Sequence, residues 1–170
     1  MPAYHSAFND PKTPLLCNAA FLPIKTTVKG PAPPAGRDDV DIIDEAIGFF
    51  KANVFFRTFD IKGPGDRILI YLTLYIQQCL SRLEKAKNRG EADRLLNTLA
   101  LEKFPTPADS SFALPGIYTC SPGEEEKFRQ YYTQLRLEVG LRMVALVFKD
   151  DQPNKWWMCF SKRKFLNKNL

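Results

Sequence analysis

From Asp66 to Arg89 the chain runs without glycine or proline, and Ile68-Leu69-Ile70-Tyr71-Leu72-Thr73-Leu74-Tyr75-Ile76 fills its first half. Taken alone, so apolar a run fits a buried strand as well as a helix. Its continuation decides the matter. Cys79, Leu80 and Leu83 prolong the apolar stripe at helical spacing, and the charged stretch Arg82–Arg89 ends at Gly90. The segment is therefore predicted to be a central helix, buried at its start and wet at its end. Thr73, Gln77 and Gln78 interrupt it, and no apolar run approaches the roughly 18 residues of a membrane span.

The flanking segments read as further helices. Asp38, Asp39 and Asp41 offer N-caps for a helix over about 38–56, in which Val40, Ile43, Ile47, Phe50 and Val54 recur on one face. Ile42, Ala46, Phe49 and Phe56 add a second apolar face. Lys62-Gly63-Pro64-Gly65 predicts a turn, with Asp66 capping the central helix. A short helix is expected over 91–101, closed by Pro105 and Pro107, and residues 103–120 read as a loop with apolar anchors. Ser121-Pro122-Gly123-Glu124 has the form of a capping box and opens a long helix over about 122–148. Its stripes are Phe128, Tyr132, Leu135, Val139, Met143 and Leu146, and Leu137, Leu141, Val144 and Phe148. A short helix from Lys155 and an extended end complete the chain. The expected fold is all-α: one domain with about four to six helices around a central buried helix.

The two ends differ from this body. Residues 1–37 hold seven of the 13 prolines, which excludes a long helix there, yet Leu15, Leu16, Phe21, Leu22 and Ile24 are apolar. This reads as an extended arm laid against the domain or a partner. Charge divides the same way. The arm carries +3, the body 38–148 carries −2 and the tail 149–170 carries +4, which together give the net +5. Basic ends on a near-neutral body favour docking to an acidic surface.

Residue chemistry argues against an enzyme. The single histidine, His5, lies in the arm, which leaves no His-pair metal site and disfavours a His-based triad. The four cysteines, Cys17, Cys79, Cys120 and Cys159, form no CxxC pair, and without a secretory start they are expected to be reduced thiols of a cytoplasmic protein. The acidic clusters at 38–41 and 124–126 sit where helix starts explain them. Gly63-Pro64-Gly65 lacks phosphate-loop spacing. No cofactor is expected.

The tail is the informative segment. Trp156 and Trp157, the only tryptophans, stand beside Lys155 and ahead of Lys162, Arg163, Lys164 and Lys168. These seven residues are the candidate partner interface, because Trp and Arg dominate interface hot spots. Four readings compete: single-stranded nucleic acid, an anionic membrane surface, an acidic protein, or tryptophans packed on the chain's own core with solvated cations.

Several strings resemble, in order, a known family. They are Met1-Pro2-Ala3-Tyr4-His5-Ser6, Gly30-Pro31-Ala32-Pro33, Asp44-Glu45-Ala46-Ile47, Phe50-Lys51-Ala52-Asn53-Val54-Phe55-Phe56 and Ile70–Ile76. Gln134-Leu135-Arg136, Gly140-Leu141-Arg142, Lys155-Trp156-Trp157, Cys159-Phe160 and Lys162-Arg163 continue the series. Together they are similar to the 21-kDa subunit of the actin-related protein 2/3 complex, while Lys87–Arg94 and Asp150–Asn154 look less like it. The resemblance implies a non-catalytic, mainly helical subunit of a seven-protein assembly in the cytoplasmic actin cytoskeleton. Such an assembly nucleates a daughter filament on the side of an existing one. The resemblance also implies that the subunit associates chiefly with the larger actin-related protein and lies near the mother filament, with no nucleic acid among its partners. The alternative from the residues alone is a basic nucleic-acid-binding or adaptor module.

Overall fold

A computed structural model describes residues 2–170. Its helices are α1 (Ile42–Asn53), α2 (Pro64–Leu83), α3 (Arg89–Leu101), α4 (Glu125–Val147) and the single turn α5 (Lys155–Met158). One small hairpin, β1 (Leu15–Leu16) with β2 (Ala19–Ala20), pairs Leu15 with Ala20 and Leu16 with Ala19. The architecture is the expected helical one, with α2 touching α1, α3, α4, β2 and α5.

α2 is buried at its start, as the sequence required: Ile68 through Ile76 are all inside. It stops at Leu83, six residues short of the expected end. Asn88 starts a new helix by accepting a hydrogen bond from the Glu91 N–H, so Gly90 lies inside α3 instead of closing α2. α2 also begins at Pro64, earlier than expected, since proline at the first helical position forfeits no needed donor. α1 starts later, at Ile42, where Asp41 and Asp44 form a reciprocal capping box. Val40 therefore lies outside the helix and is exposed. α4 likewise starts at Glu125, because Gly123 adopts φ +88° and holds Pro122-Gly123 in a turn.

The N-terminal arm packs on its own domain. Leu16, Ala19, Ala20, Leu22 and Ile24 are buried in the same core as the helices. Tyr131 fastens the arm to α4: its hydroxyl donates to the Leu22 carbonyl at 2.8 Å and accepts the Leu22 N–H at 2.9 Å. Asp66, expected to cap α2, instead holds residues 5–6. It accepts the Ser6 N–H at 2.8 Å and the Lys62 N–H at 2.9 Å, and lies 2.7 Å from His5 Nδ1. Gly65 makes room for that strap, since a Cβ there would meet the Phe8 backbone at 2.6 Å.

One expectation is corrected. Cys17 and Cys120 form a disulfide, leaving only Cys79 and Cys159 as free thiols. The hairpin turn at Cys17-Asn18 and the Thr119 N–H donating to the Cys17 carbonyl at 3.2 Å bring together residues 103 positions apart. Spacing along the chain carried no sign of that proximity.

A candidate protein-docking surface

The tail leaves α4 through Asn154, whose N–H donates to the Val147 carbonyl at 2.7 Å and whose side chain caps α5 by accepting the Trp156 N–H at 2.9 Å. In so short a turn, consecutive side chains diverge by about 100°. The two tryptophans therefore part. Trp157 is buried, its ring stacked on Phe50 at 6.1 Å between centroids, with Lys51 Nζ 4.3 Å from its own centroid. Trp156 points outward and is 68% exposed, with Lys155 Nζ 5.4 Å from its ring centroid.

Beyond α5, Phe160 packs edge-on against Phe50 at 6.1 Å and Phe55 at 5.9 Å. Phe55, at the end of α1, is itself 55% exposed and carries the Arg163 guanidinium 5.0 Å from its centroid. Lys162 and Lys164 are exposed and, with Arg163, line a cleft of about 410 Å³ against Gln77, Ser81 and Arg82 of α2. Lys168 is half-buried and contributes its carbonyl to the tail's anchorage.

One side chain of α2 makes two of the bonds in that anchorage. Gln77, buried on α2, accepts the Phe165 N–H at 2.6 Å and donates through Nε2 to the Lys168 carbonyl at 2.9 Å. Phe165 is fully buried, and the Leu166 N–H donates to the Phe56 carbonyl at 3.0 Å. The tail is thus closed over the domain, with Leu166 and Asn167 in the left-handed region at φ 54° and 55°.

Of the seven candidate residues, Lys155, Trp156, Lys162, Arg163 and Lys164 lie on the outside, Trp157 serves the core, and Lys168 lies at the anchorage. Sequence reasoning missed Lys51 and Phe55, which α1 brings beside the tail. The one available signal was Phe55 itself, a large apolar residue outside both apolar faces assigned to that helix.

Of the two free thiols, Cys159 is exposed at the end of α5, its Sγ 3.6 Å from the Trp156 carbonyl, and Cys79 is buried on α2 with its thiol pushed up to about 12 by loss of solvation. Among the described residues, no group of three or more His, Cys, Asp or Glu side chains could hold a metal ion, and no helix is long and apolar enough to cross a membrane. What the surface offers is exposed aromatic area edged by cations on a helical scaffold, the makings of a subunit that binds another protein.

Comparison with known proteins makes the assignment specific. The family model described as "P21-Arc: ARP2/3 complex ARPC3 (21 kDa) subunit" matches residues 1–170, and the chain belongs to that family of non-catalytic structural subunits. Actin-related protein 2/3 complex subunit 3 of Dictyostelium discoideum is 50% identical over 173 residues, covering 98% of this chain and 99% of the relative. The Schizosaccharomyces pombe subunit 3 is 50% identical with both chains fully covered. The Saccharomyces cerevisiae subunit 3 is 38% identical over the full length of each.

Proposed function

We propose that this chain works as a non-catalytic clamp in branched actin nucleation. In this reading it docks on the actin-related proteins of a seven-subunit complex, chiefly the larger one, and contributes to contact with the mother filament in the cytoplasm. The outward Trp156 and Phe55, edged by Lys51, Lys155, Lys162, Arg163 and Lys164, carry the reading. Actin-like surfaces are acidic, and exposed cations add association rate and register while the aromatic area supplies affinity. The full-length match to subunit 3 of the complex supports the choice of partner.

The test is charge reversal of Lys162, Arg163 and Lys164 to Glu in the reconstituted complex, with branch formation followed by fluorescence microscopy. Slower branching, with the deficit greatest at low ionic strength, is expected. An unchanged branching rate at low salt overturns the docking role. Trp156→Ala should weaken retention of the subunit in the complex by roughly ten-fold or more, as loss of a hot spot does.

A further inference from the structure

Two arginines of α4 are drawn into the fold, Arg136 buried and Arg142 partly buried, and the fold treats them differently. Arg142 meets three carboxylates: Asp41 at 2.7 Å, Asp44 at 3.0 Å and Glu138 at 3.4 Å. Arg136, only 3% exposed, meets none in any ion pair among the described residues. Its protein partners are neutral. Nη2 donates to the Leu99 carbonyl at 2.7 Å and Nη1 reaches the Tyr71 hydroxyl at 3.4 Å. The guanidinium lies 4.6 Å from the Tyr75 ring centroid and 4.4 Å from that of Phe104. Nε–H is buried and faces no protein acceptor. Buried charges in folded proteins are normally paired, because a lone one forfeits hydration without Coulombic return.

Arg136 also lines a cavity of about 190 Å³, walled by Tyr71, Phe104, Pro105 and Phe112. Lys103, Glu102 and the C-terminal Leu170 line it too, but the Glu102 carboxylate is taken by Arg82 at 3.1 Å and neither it nor Leu170 pairs with Arg136. Gln78 lines the same space, and its Oε1 is likewise buried without a partner. The volume falls below the roughly 300–1,000 Å³ of drug-sized ligand sites. It suits a single inserted side chain. From the uncompensated cation, the unused Nε–H, the aromatic walls and the size, we infer that this cavity receives the carboxylate of a glutamate or aspartate side chain presented by a protein partner. A carboxylate would take Nε–H and one remaining Nη–H side-on, while its methylene stem packs on Phe104 and Phe112. Gln78 would then be free to receive a backbone N–H of the same segment. The inference does not depend on the docking role of Trp156.

The test uses the full chain labelled with ¹⁵N-arginine and titrated with N-acetyl-glutamate amide, with the glutamine counterpart and benzoate as parallel probes. The Arg136 Nε–H signal is assigned by its loss in Arg136→Lys, and the Phe104 and Phe112 ring protons give a second readout. A saturable shift with the glutamate probe in roughly the millimolar range is expected, about ten-fold weaker or absent with the glutamine probe. The absence of any saturable response to the glutamate probe overturns the inference. Equal responses to glutamate and glutamine overturn it too. Benzoate binding about ten-fold more tightly than the glutamate probe would reassign the cavity to small aryl acids and overturn the protein-partner reading.

Discussion

Gln77 is the point at which a single substitution should uncouple the tail from the domain. Gln77→Leu keeps the volume and the helix but removes two partners of the tail backbone, the acceptor of the Phe165 N–H and the donor to the Lys168 carbonyl. Leaving two such groups buried and unpaired costs roughly 1–3 kcal/mol each, about 2–6 kcal/mol together. Releasing the tail to water avoids that cost but exposes Phe165, fully buried in the native chain, at about 2–3 kcal/mol. The chain takes the cheaper route, so local opening of residues 161–170 becomes easier by about 2–3 kcal/mol, or roughly 30- to 150-fold in the opening constant. Trypsin reads this directly, because cleavage after Lys162, Arg163 or Lys164 needs that segment opened. Cleavage at these sites should accelerate by the same factor at low protease, while the global melting temperature falls much less. Tail cleavage at the wild-type rate, with the rest of the chain intact, would refute the assignment of Gln77 as the tail's anchor.

Four further outcomes follow from the geometry. Trp157→Ala should cost about 3–5 kcal/mol of stability by calorimetry, whereas Trp156→Ala should change the melting temperature little, since only Trp157 is buried. Burial pushes the Asp41 carboxyl up, but hydrogen bonds from Arg142, Asp44 and Lys25 bring it to a net value below its ordinary one. Its contribution is therefore complete above the ordinary aspartate value and lost as pH falls through the lowered one, so Asp41→Asn should flatten the acid limb of a stability–pH curve measured by urea denaturation below about pH 4. Glu45 behaves oppositely: burial raises its carboxyl, so the wild type loses stability as pH rises from the ordinary glutamate value through the raised one, and Glu45→Gln should stabilise at pH 7 but not at pH 4 in thermal melts. Gly65→Ala should detach the 4–9 strap from α2 and increase hydrogen exchange at the Ser6 amide, because the new methyl meets the Phe8 backbone.

How much of this was legible follows from the range of the forces involved. α2 and α4 could be read because apolar periodicity and burial are local statements about one helix, and Ile68–Ile76 and Phe128–Val139 satisfy them. Helix ends were read less well because caps are competitions. Asn88 outcompetes continuation of α2, and the positive φ of Gly123 delays α4 to Glu125 although the Ser121 N–H still donates to the Glu124 carboxylate at 2.6 Å. Asp66 looked like a cap because its natural partners are local, yet its carboxylate serves backbone some 60 residues away. The Cys17–Cys120 bond, whose ends are 103 positions apart, lies beyond any spacing argument. At the candidate site, the basic aromatic tail stood out from composition. The division of labour between Trp156 and Trp157 did not, since it depends on which side of one helical turn faces Phe50.

The arrangement of arm and tail bears on how a small subunit can hold partners firmly. Both segments looked, from charge alone, like appendages of a near-neutral body. Each is instead sewn into the core by buried side chains of the body: Tyr131 and Asp66 for the arm, Gln77 for the tail. Irregular backbone fixed in this way loses its conformational entropy during folding, not during association. Trp156 and the tail cations are thus displayed on a segment already ordered by Phe165 and Trp157, and in the proposed docking role binding need only exclude water and pair charge. The same logic makes affinity vulnerable at a distance. If the proposed docking surface is right, substitution at Gln77, which lies beneath it, should weaken partner binding as surely as substitution at Trp156, but through salt-insensitive loss of preorganisation instead of lost contact.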